Sequence, residues 1–211
     1  MISEEKIKVL RRIFEYSGVL NYSKEYIYPA GVDVYRPIYI NFRKLLNCYE
    51  GRNSIVNASV KFLLNCNLKF DAVCGITVSG VYYSSCIADR TRKPLLFIRS
   101  QPKDYKEGID KWIVGKVPKK GSRIILIDDV IATGSTVLNM ANILKKEGIN
   151  VSVFSIFSYR KEEDLSADLD LKIRSYINLS DLLEYGRVIN YFDDEDVQFL
   201  EDHITDYILK K

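Results

Sequence analysis

The chain has 211 residues, of which 47% are hydrophobic and 28% are charged, as in ordinary globular proteins. Its 31 lysines and arginines and 28 aspartates and glutamates leave a formal charge of +3, too small a surplus to indicate nucleic-acid binding. The apolar runs are short and interrupted and the N-terminus is charged, so we expect neither a membrane-spanning helix nor a signal peptide. These features predict a cytoplasmic protein with a single domain over residues 1–211.

The cysteines and the single histidine argue against several kinds of catalytic site. The four cysteines (Cys48, Cys66, Cys74 and Cys86) form no CxxC pair and lack metal-ligand spacing, so we interpret them as small buried hydrophobes. His203 lies in a polar C-terminal segment, whereas zinc hydrolases and Ser-His-Asp enzymes place histidine at the centre of their chemistry. We therefore expect neither of those two classes.

Outside the central part of the chain, three segments are predicted to be helical. Residues 3–17 place apolar side chains at helical spacing before a glycine, and residues 51–65 also favour a helix. Residues 26–41 are β-branched and aromatic but are interrupted by Pro-Ala-Gly and a second proline, which predicts short strands around a turn. Apolar positions within residues 192–211 predict a terminal helix.

The middle of the chain alternates apolar runs with helical segments. Residues 81–92 and 136–148 are predicted helices, and between and around them lie four apolar runs, at residues 70–75, 94–99, 123–128 and 150–158. Continuous apolar strands alternating with helices are typical of a parallel sheet covered on both faces. We therefore predict an α/β fold with a doubly wound, mostly parallel sheet, whose ligands bind beyond the carboxyl ends of the strands.

A long connection, residues 100–122, joins the second and third of these strands. Loops of this length are usually functional lids or solvated segments, and both interpretations stay open here. The segment is rich in basic side chains, at Lys103, Lys106, Lys111, Lys116, Lys119 and Lys120.

Residues 124–136 carry the clearest chemical pattern. An apolar strand ends in two carboxylates, Asp128 and Asp129, and a loop of small and hydroxyl residues then leads into a helix. Backbone N–H groups of such a loop, together with a helix N-terminus, bind phosphate, whereas carboxylates suit sugar hydroxyls. A plain capped helix explains Ser135 or Thr136 but not the acid pair. The pattern indicates a site for a phosphorylated pentose, and it is neither a Walker motif nor GxGxxG.

This segment resembles the phosphoribosyl pyrophosphate (PRPP) signature of the type I phosphoribosyltransferases. Residues 5–190 are similar, more narrowly, to the orotate phosphoribosyltransferases of that family. The resemblance implies a small N-terminal hood over residues 1–45, a PRPP-binding core over residues 50–160 and a C-terminal segment over residues 161–211. It also implies a homodimer in which the loop of one subunit reaches the site of the other.

The activity implied by the resemblance is transfer of the phosphoribosyl group of PRPP to orotate, giving orotidine monophosphate and pyrophosphate in pyrimidine biosynthesis. Mg²⁺ would be held mainly by PRPP, with Asp128 or Asp129 reaching it through water. The catalytic residues would be Lys103, Arg99, Asp128 and Asp129. The residues implied to bind PRPP are Thr77, Ser79, Gly80, Arg99, Lys103, Tyr105, Asp128, Asp129, Val130, Ile131, Ala132, Thr133, Gly134, Ser135 and Thr136. Those implied to bind orotate are Arg160, Thr133, Tyr39 and Ile40.

Four positions depart from the family pattern. Ser100 and Tyr105 replace a basic residue and a histidine of the loop, Pro29 replaces a lysine of the hood, and Ala132 stands where many members have threonine. The departures leave two alternatives open: a phosphoribosyltransferase for another nucleobase, and a PRPP-sensing regulatory protein of the same fold.

Overall fold

The structure is a computed structural model that describes residues 2–25, 28–31 and 34–209, without the side chains of residues 29–35 and 204–209. The chain divides into two compact units. Residues 1–55 and 179–211 form the first unit, and residues 56–178 form the second. No helix in the described part of the chain is long and apolar enough to cross a membrane.

The first unit contains helices from both ends of the chain. They are α1 (Glu4–Glu15), the start of α2 (Tyr49–Asn65), α6 (Leu179–Val188) and α7 (Asp194–Leu209), with a 3₁₀ helix at Phe42–Asn47. Ser3 caps α1 by accepting a hydrogen bond from the Lys6 N–H. This confirms the helices predicted at residues 3–17, 51–65 and 192–211, within a few residues at each end.

Aromatic side chains hold the first unit together. The ring of Phe14 on α1 meets those of Tyr185, Tyr191 and Phe192 edge to face, with centroids 5.0–6.0 Å apart. Such pairs contribute beyond the area that they bury. Helix α6 and the segment that follows it therefore pack directly on the first helix.

Four short strands lie in the predicted strand segment and just before it. They are β1 (Leu20–Tyr22), β2 (Tyr28–Gly31), β3 (Val34–Arg36) and β4 (Ile38–Ile40). β1 pairs antiparallel with β4, and β2 pairs antiparallel with β3. The turn between β2 and β3 lies outside the described residues, as does the Pro29 side chain.

The second unit is built on a six-stranded sheet with the order β10-β9-β8-β5-β6-β7. Its strands are β5 (Ala72–Ile76), β6 (Leu95–Ile98), β7 (Ile113–Val114), β8 (Arg123–Ile131), β9 (Asn150–Ser158) and β10 (Lys172–Asn178). All neighbours are parallel except β6 and β7. The sheet confirms the predicted doubly wound, mostly parallel α/β fold.

Helices connect the parallel strands: α3 (Gly80–Thr91), α4 (Ser135–Lys146) and α5 (Glu162–Leu169). Alternate residues of β5, β8 and β9 share an apolar cluster with α4 and α5, including Leu126, Val153, Ala141 and Leu165, each fully buried. Each of these elements buries one apolar face in the cluster, which holds the helices against the sheet.

Three parts of this unit differ from the sequence prediction. β8 continues three residues beyond residue 128, so the acid pair lies within the strand. Residues 100–122 are not structureless: they contain a 3₁₀ turn at Gly108–Lys111 and the strand β7. Their apolar residues Ile109, Trp112 and Val117 pack on the apolar cluster, which explains why the segment folds back. The elements β10 and α5 were not predicted, and neither was α6 of the first unit.

Candidate active site

The carboxyl ends of β5 and β8 mark the point where the strand order reverses. After β5 the chain enters β6 on one side, and it later returns to β8 on the other side. In open α/β sheets, ligands bind in the crevice that forms at this reversal. The end of β8 is the segment singled out by its sequence pattern, and the residues that follow β5 are among those that the resemblance implies bind PRPP.

The turn from β5 into α3 brings Thr77, Ser79 and Gly80 to this crevice. The Thr77 N–H donates to the carbonyl of Ile98 at 2.9 Å, and the peptide between residues 77 and 78 is cis. A Cβ on Gly80 would lie 2.4 Å from the Ile127 carbonyl oxygen of β8. Only a residue without a side chain allows α3 to begin so close to β8.

Asp128 and Asp129 are nearly buried at the end of β8, each with 8% of its surface exposed. Asp128 Oδ1 accepts the N–H of Asp129 at 3.1 Å, and Asp129 Oδ1 accepts that of Val130 at 2.8 Å. Burial and the neighbouring negative charge of Asp129 raise the pKa of Asp128 well above its usual range. The structure thus brings together two adjacent carboxyl groups that a cation or sugar hydroxyls would stabilise.

Tyr83 of α3 belongs to the same environment and was missed by the sequence analysis. It is 1% exposed, and burial together with the charge of Asp129 raises the pKa of its hydroxyl. Nothing in the sequence distinguishes it from the other 14 tyrosines.

Residues 132–136 form the loop that leads from β8 into α4. Gly134 has φ +84°, and the side-chain oxygens of Thr133 and Ser135 lie 3.1 Å apart. Ser135 and Thr136 are exposed and begin α4, while Ala132 and Thr133 are partly exposed. A helix N-terminus with hydroxyl groups is suited to bind an anion. Val130 is partly exposed, whereas Ile131 is 1% exposed, so only its backbone is available to a ligand.

Arg99 and the two other predicted loop residues lie beyond the end of β6. Arg99 Nη1 donates to the carbonyl of Ile113 in β7 at 2.9 Å. Lys103 Nζ donates to the Tyr105 hydroxyl at 2.6 Å, and this contact lowers the pKa of Tyr105. The Tyr105 side chain is 75% exposed. The three side chains therefore bond within the hairpin formed by residues 99–114, and contact with PRPP stays a prediction.

Arg160 follows β9, beside the loop that begins α4. Its side chain is only 10% exposed and forms an ion pair with Asp168 in the last turn of α5. Asp168 was missed because a carboxylate eight residues along a charged segment gives no pattern in the sequence. A nearly buried guanidinium of this kind suits a planar carboxylate ligand.

The two predicted base-packing residues belong to the first unit. Ile40 is 3% exposed and lies in its core, while Tyr39 is partly exposed and its hydroxyl accepts a hydrogen bond from Arg43 at 3.0 Å. Their assignment to orotate stays a prediction.

The acid pair offers carboxylate oxygens to a cation at the crevice. The described residues contain no cluster of three or more histidine, cysteine, aspartate or glutamate side chains that could hold a metal alone. Mg²⁺ is commonly bound by one or two carboxylates together with substrate phosphates. The oxygen donors of Asp128 and Asp129 fit that mode.

Comparison with known proteins identifies the family. Residues 52–180 match the model of the phosphoribosyl transferase domain. The chain is 30% identical over 185 residues to the orotate phosphoribosyltransferase of Lactococcus lactis subsp. cremoris, covering 86% of each chain. This chain belongs to the phosphoribosyltransferase family, as its sequence resemblance indicated.

Two solved structures show the same fold. The orotate phosphoribosyltransferase of Aeropyrum pernix superimposes with a TM-score of 0.70 at 20% identity, over 88% of this chain and 99% of that one. The UMP synthase of Leishmania donovani gives a TM-score of 0.77 at 19% identity, over 96% of this chain and 42% of that one.

Proposed function

We propose that this protein is an enzyme that transfers the phosphoribosyl group of PRPP to orotate, releasing pyrophosphate and forming orotidine monophosphate. The observation that carries the proposal is the similarity to a curated orotate phosphoribosyltransferase along 86% of the chain. The fold supports it, because the acid pair and the anion-binding loop lie together where the strand order reverses.

The reaction divides into tasks that the chain's own residues can perform. Breaking the bond to pyrophosphate builds positive charge on the ribose and negative charge on the leaving group. The loop at residues 132–136 binds the 5′-phosphate, and Asp128 and Asp129 hold the ribose hydroxyls near the developing cation. Arg99 and Lys103 stabilise the departing pyrophosphate, once they exchange their present partners for it.

The attacking base nitrogen needs no strong general base from the protein, because the ring nitrogen of orotate can already be largely anionic. This agrees with the sequence, because the chain has a single histidine, at position 203. Arg160 binds the carboxylate of orotate, which distinguishes it from bases that lack this group.

Mg²⁺ is part of the proposal. When bound, it neutralises charge on the diphosphate and stabilises its departure. Asp128 and Asp129 are the residues that would hold it, through water, together with the oxygens of PRPP.

A homodimer in the cytoplasm, with loops exchanged between subunits, completes the proposal. Lys103 and Tyr105 bond to each other rather than to the crevice, and Tyr105 is exposed, which supports a loop that acts elsewhere. Loop closure over a partner's site would exclude water from the activated sugar.

The test is to mix the protein with PRPP, Mg²⁺ and orotate and to follow the loss of orotate absorbance. We expect turnover that stops when Mg²⁺ is chelated and resumes when it is restored. Turnover of adenine, hypoxanthine or uracil in place of orotate would assign another base. Binding of PRPP without turnover of any base would make the protein a PRPP-sensing regulator, the alternative that Ser100 and Tyr105 leave open.

A further inference from the structure

One short helix contacts both of the regions to which we assign substrates. The side chain of Leu169 lies against Gly134, at the loop assigned to the phosphate. The neighbouring residue on α5, Asp168, forms the ion pair with Arg160. Helix α5 therefore supports the phosphate loop through an apolar contact and Arg160 through a charged one.

The backbone places Arg160 beside the phosphate loop. The Tyr159 N–H donates to the Ile131 carbonyl at 3.0 Å, so the residue after Tyr159 lies next to the loop that follows Ile131. The Ser158 hydroxyl donates to the Arg160 carbonyl at 2.5 Å and holds that end of the strand. The guanidinium, however, is attached to a long side chain with many rotamers, and its orientation requires a partner of its own.

Asp168 provides this partner and occupies only some of the N–H donors of the Arg160 guanidinium. The ion pair joins Asp168 Oδ2 to Arg160 Nη2. A guanidinium has five N–H donors in a rigid fork, so one contact at Nη2 is compatible with a second, planar carboxylate on another edge. Asp168 is itself 54% exposed, and water screens its repulsion of a substrate anion.

We propose that Asp168 is a positioning residue for the nucleobase substrate: it fixes the guanidinium of Arg160 so that its free donors face the carboxylate of orotate. This inference rests on the proposed function. The benefit of orienting the Arg160 guanidinium outweighs the repulsion between Asp168 and the orotate carboxylate. The Arg160 side chain is only 10% exposed, so its rotamer depends on contacts with the protein rather than with solvent.

The experiment compares Asp168→Ala and Asp168→Glu with Asp164→Ala. Asp164 is an exposed residue in the first turn of the same helix and provides a control for the loss of one carboxylate from α5. For Asp168→Ala we expect the KM for orotate to rise about tenfold, the loss of one charge-assisted hydrogen bond, with the KM for PRPP unchanged. Glutamate at position 168 should restore much of the orotate affinity, and Asp164→Ala should leave both constants unchanged.

Three outcomes would overturn the positioning role in a protein that turns over orotate: an unchanged KM for orotate in Asp168→Ala, a lower one, or an equal rise in both KM values. An equal rise in both KM values would indicate that α5 as a whole had shifted. Thermal unfolding of the three variants would then show a loss of stability. Failure of the unsubstituted protein to use orotate would instead overturn the proposed function, so the two failures are distinguishable.

Discussion

Leu169 of α5 packs so closely on Gly134 that a Cβ at position 134 would lie 2.4 Å from its Cδ1. Gly134 also has φ +84°, a conformation that costs a non-glycine residue about 1–3 kcal/mol. We therefore expect Gly134→Ala to lower the free energy of unfolding by at least that amount and to weaken PRPP binding. Chemical denaturation and the KM for PRPP measure the two effects.

A matched variant separates the backbone cost from the steric one. Gly108 has φ +51°, but no atom lies within 4 Å of the position of its Cβ. Gly108→Ala should therefore show the backbone cost alone. If Gly134→Ala proved no less stable than Gly108→Ala, the contact with Leu169 would have no energetic weight.

Replacing the carboxylate of Asp129 tests the assignment of the acid pair. Asp129→Asn keeps the shape of the side chain but removes the charge that we assign to the ribose, and we expect turnover to fall on the order of 10²-fold. Steady-state kinetics with PRPP and orotate provide the measurement. Asp89→Asn, at an exposed position on α3, serves as the control. Unchanged turnover in Asp129→Asn would contradict the role of the pair.

Loop exchange between subunits predicts complementation. Lys103→Ala and Asp129→Asn should each be nearly inactive alone, because each removes a different group from the site. After mixing and subunit exchange, hybrid dimers would contain one site with both intact residues, and activity should reappear. A mixture as inactive as its parts, in a protein shown to be dimeric and to exchange subunits, would place both groups in one chain.

The contact between Lys103 and Tyr105 predicts an altered titration. The ammonium of Lys103 donates to the hydroxyl, which stabilises the phenolate and lowers the pKa of Tyr105. A difference titration of the wild type against Tyr105→Phe, followed by ultraviolet absorbance, should show a midpoint below the usual value of about 10. Lys103→Met should return the midpoint to about 10, and an identical midpoint in both backgrounds would show that the contact does not form in solution.

The contacts of Asp196 near the start of α7 should stabilise the protein in a way that depends on pH. The Tyr22 hydroxyl donates to Asp196 Oδ1 at 2.7 Å, and Lys24 lies 3.0 Å from the same oxygen. Burial opposes the charge on Asp196, but hydrogen bonds from Tyr22 and Lys24 outweigh it and lower the pKa of Asp196. Tyr22→Phe should therefore destabilise the protein at pH 7 by about 1 kcal/mol, a modest amount for a partly solvated bond to a charged group.

The sign of the pH dependence follows from the lowered pKa. The stabilisation is complete above the pKa of about 3.9 that an unfolded aspartate has, and it is lost as the pH falls further and Asp196 becomes protonated. The difference in unfolding free energy between wild type and Tyr22→Phe should shrink over that interval. A difference that stays the same as the pH falls from 4 to about 2 would rule out the charged bond as its source.

The parts of the fold that the sequence predicted are those with a regular apolar pattern. Residues 150–158 were predicted as a strand with the bounds that β9 has, because most of the run is apolar and the strand lies inside the sheet. β10 was missed because it is the edge strand, where Lys172 and Arg174 interrupt the apolar pattern. β8 was predicted too short, because the acid pair interrupts the apolar run on which the strand prediction was based.

The candidate site shows the same division. Asp128, Asp129 and the loop up to Thr136 are contiguous in the sequence, so their pattern was visible without a structure. The pairing of Arg160 with Asp168 depends on how α5 packs, which no local pattern records. The side-chain partners of Arg99 and Lys103 likewise depend on the hairpin formed by residues 99–114.

The brevity of β7 has a consequence for the behaviour of the protein in solution. This two-residue strand covers the outer side of β6, and Arg99 is tied to its Ile113 carbonyl. An uncovered edge strand invites pairing with another chain and hence aggregation, and a very short antiparallel strand is one of the ways in which proteins prevent it. By pairing with β6, the same hairpin would therefore protect the sheet from self-association.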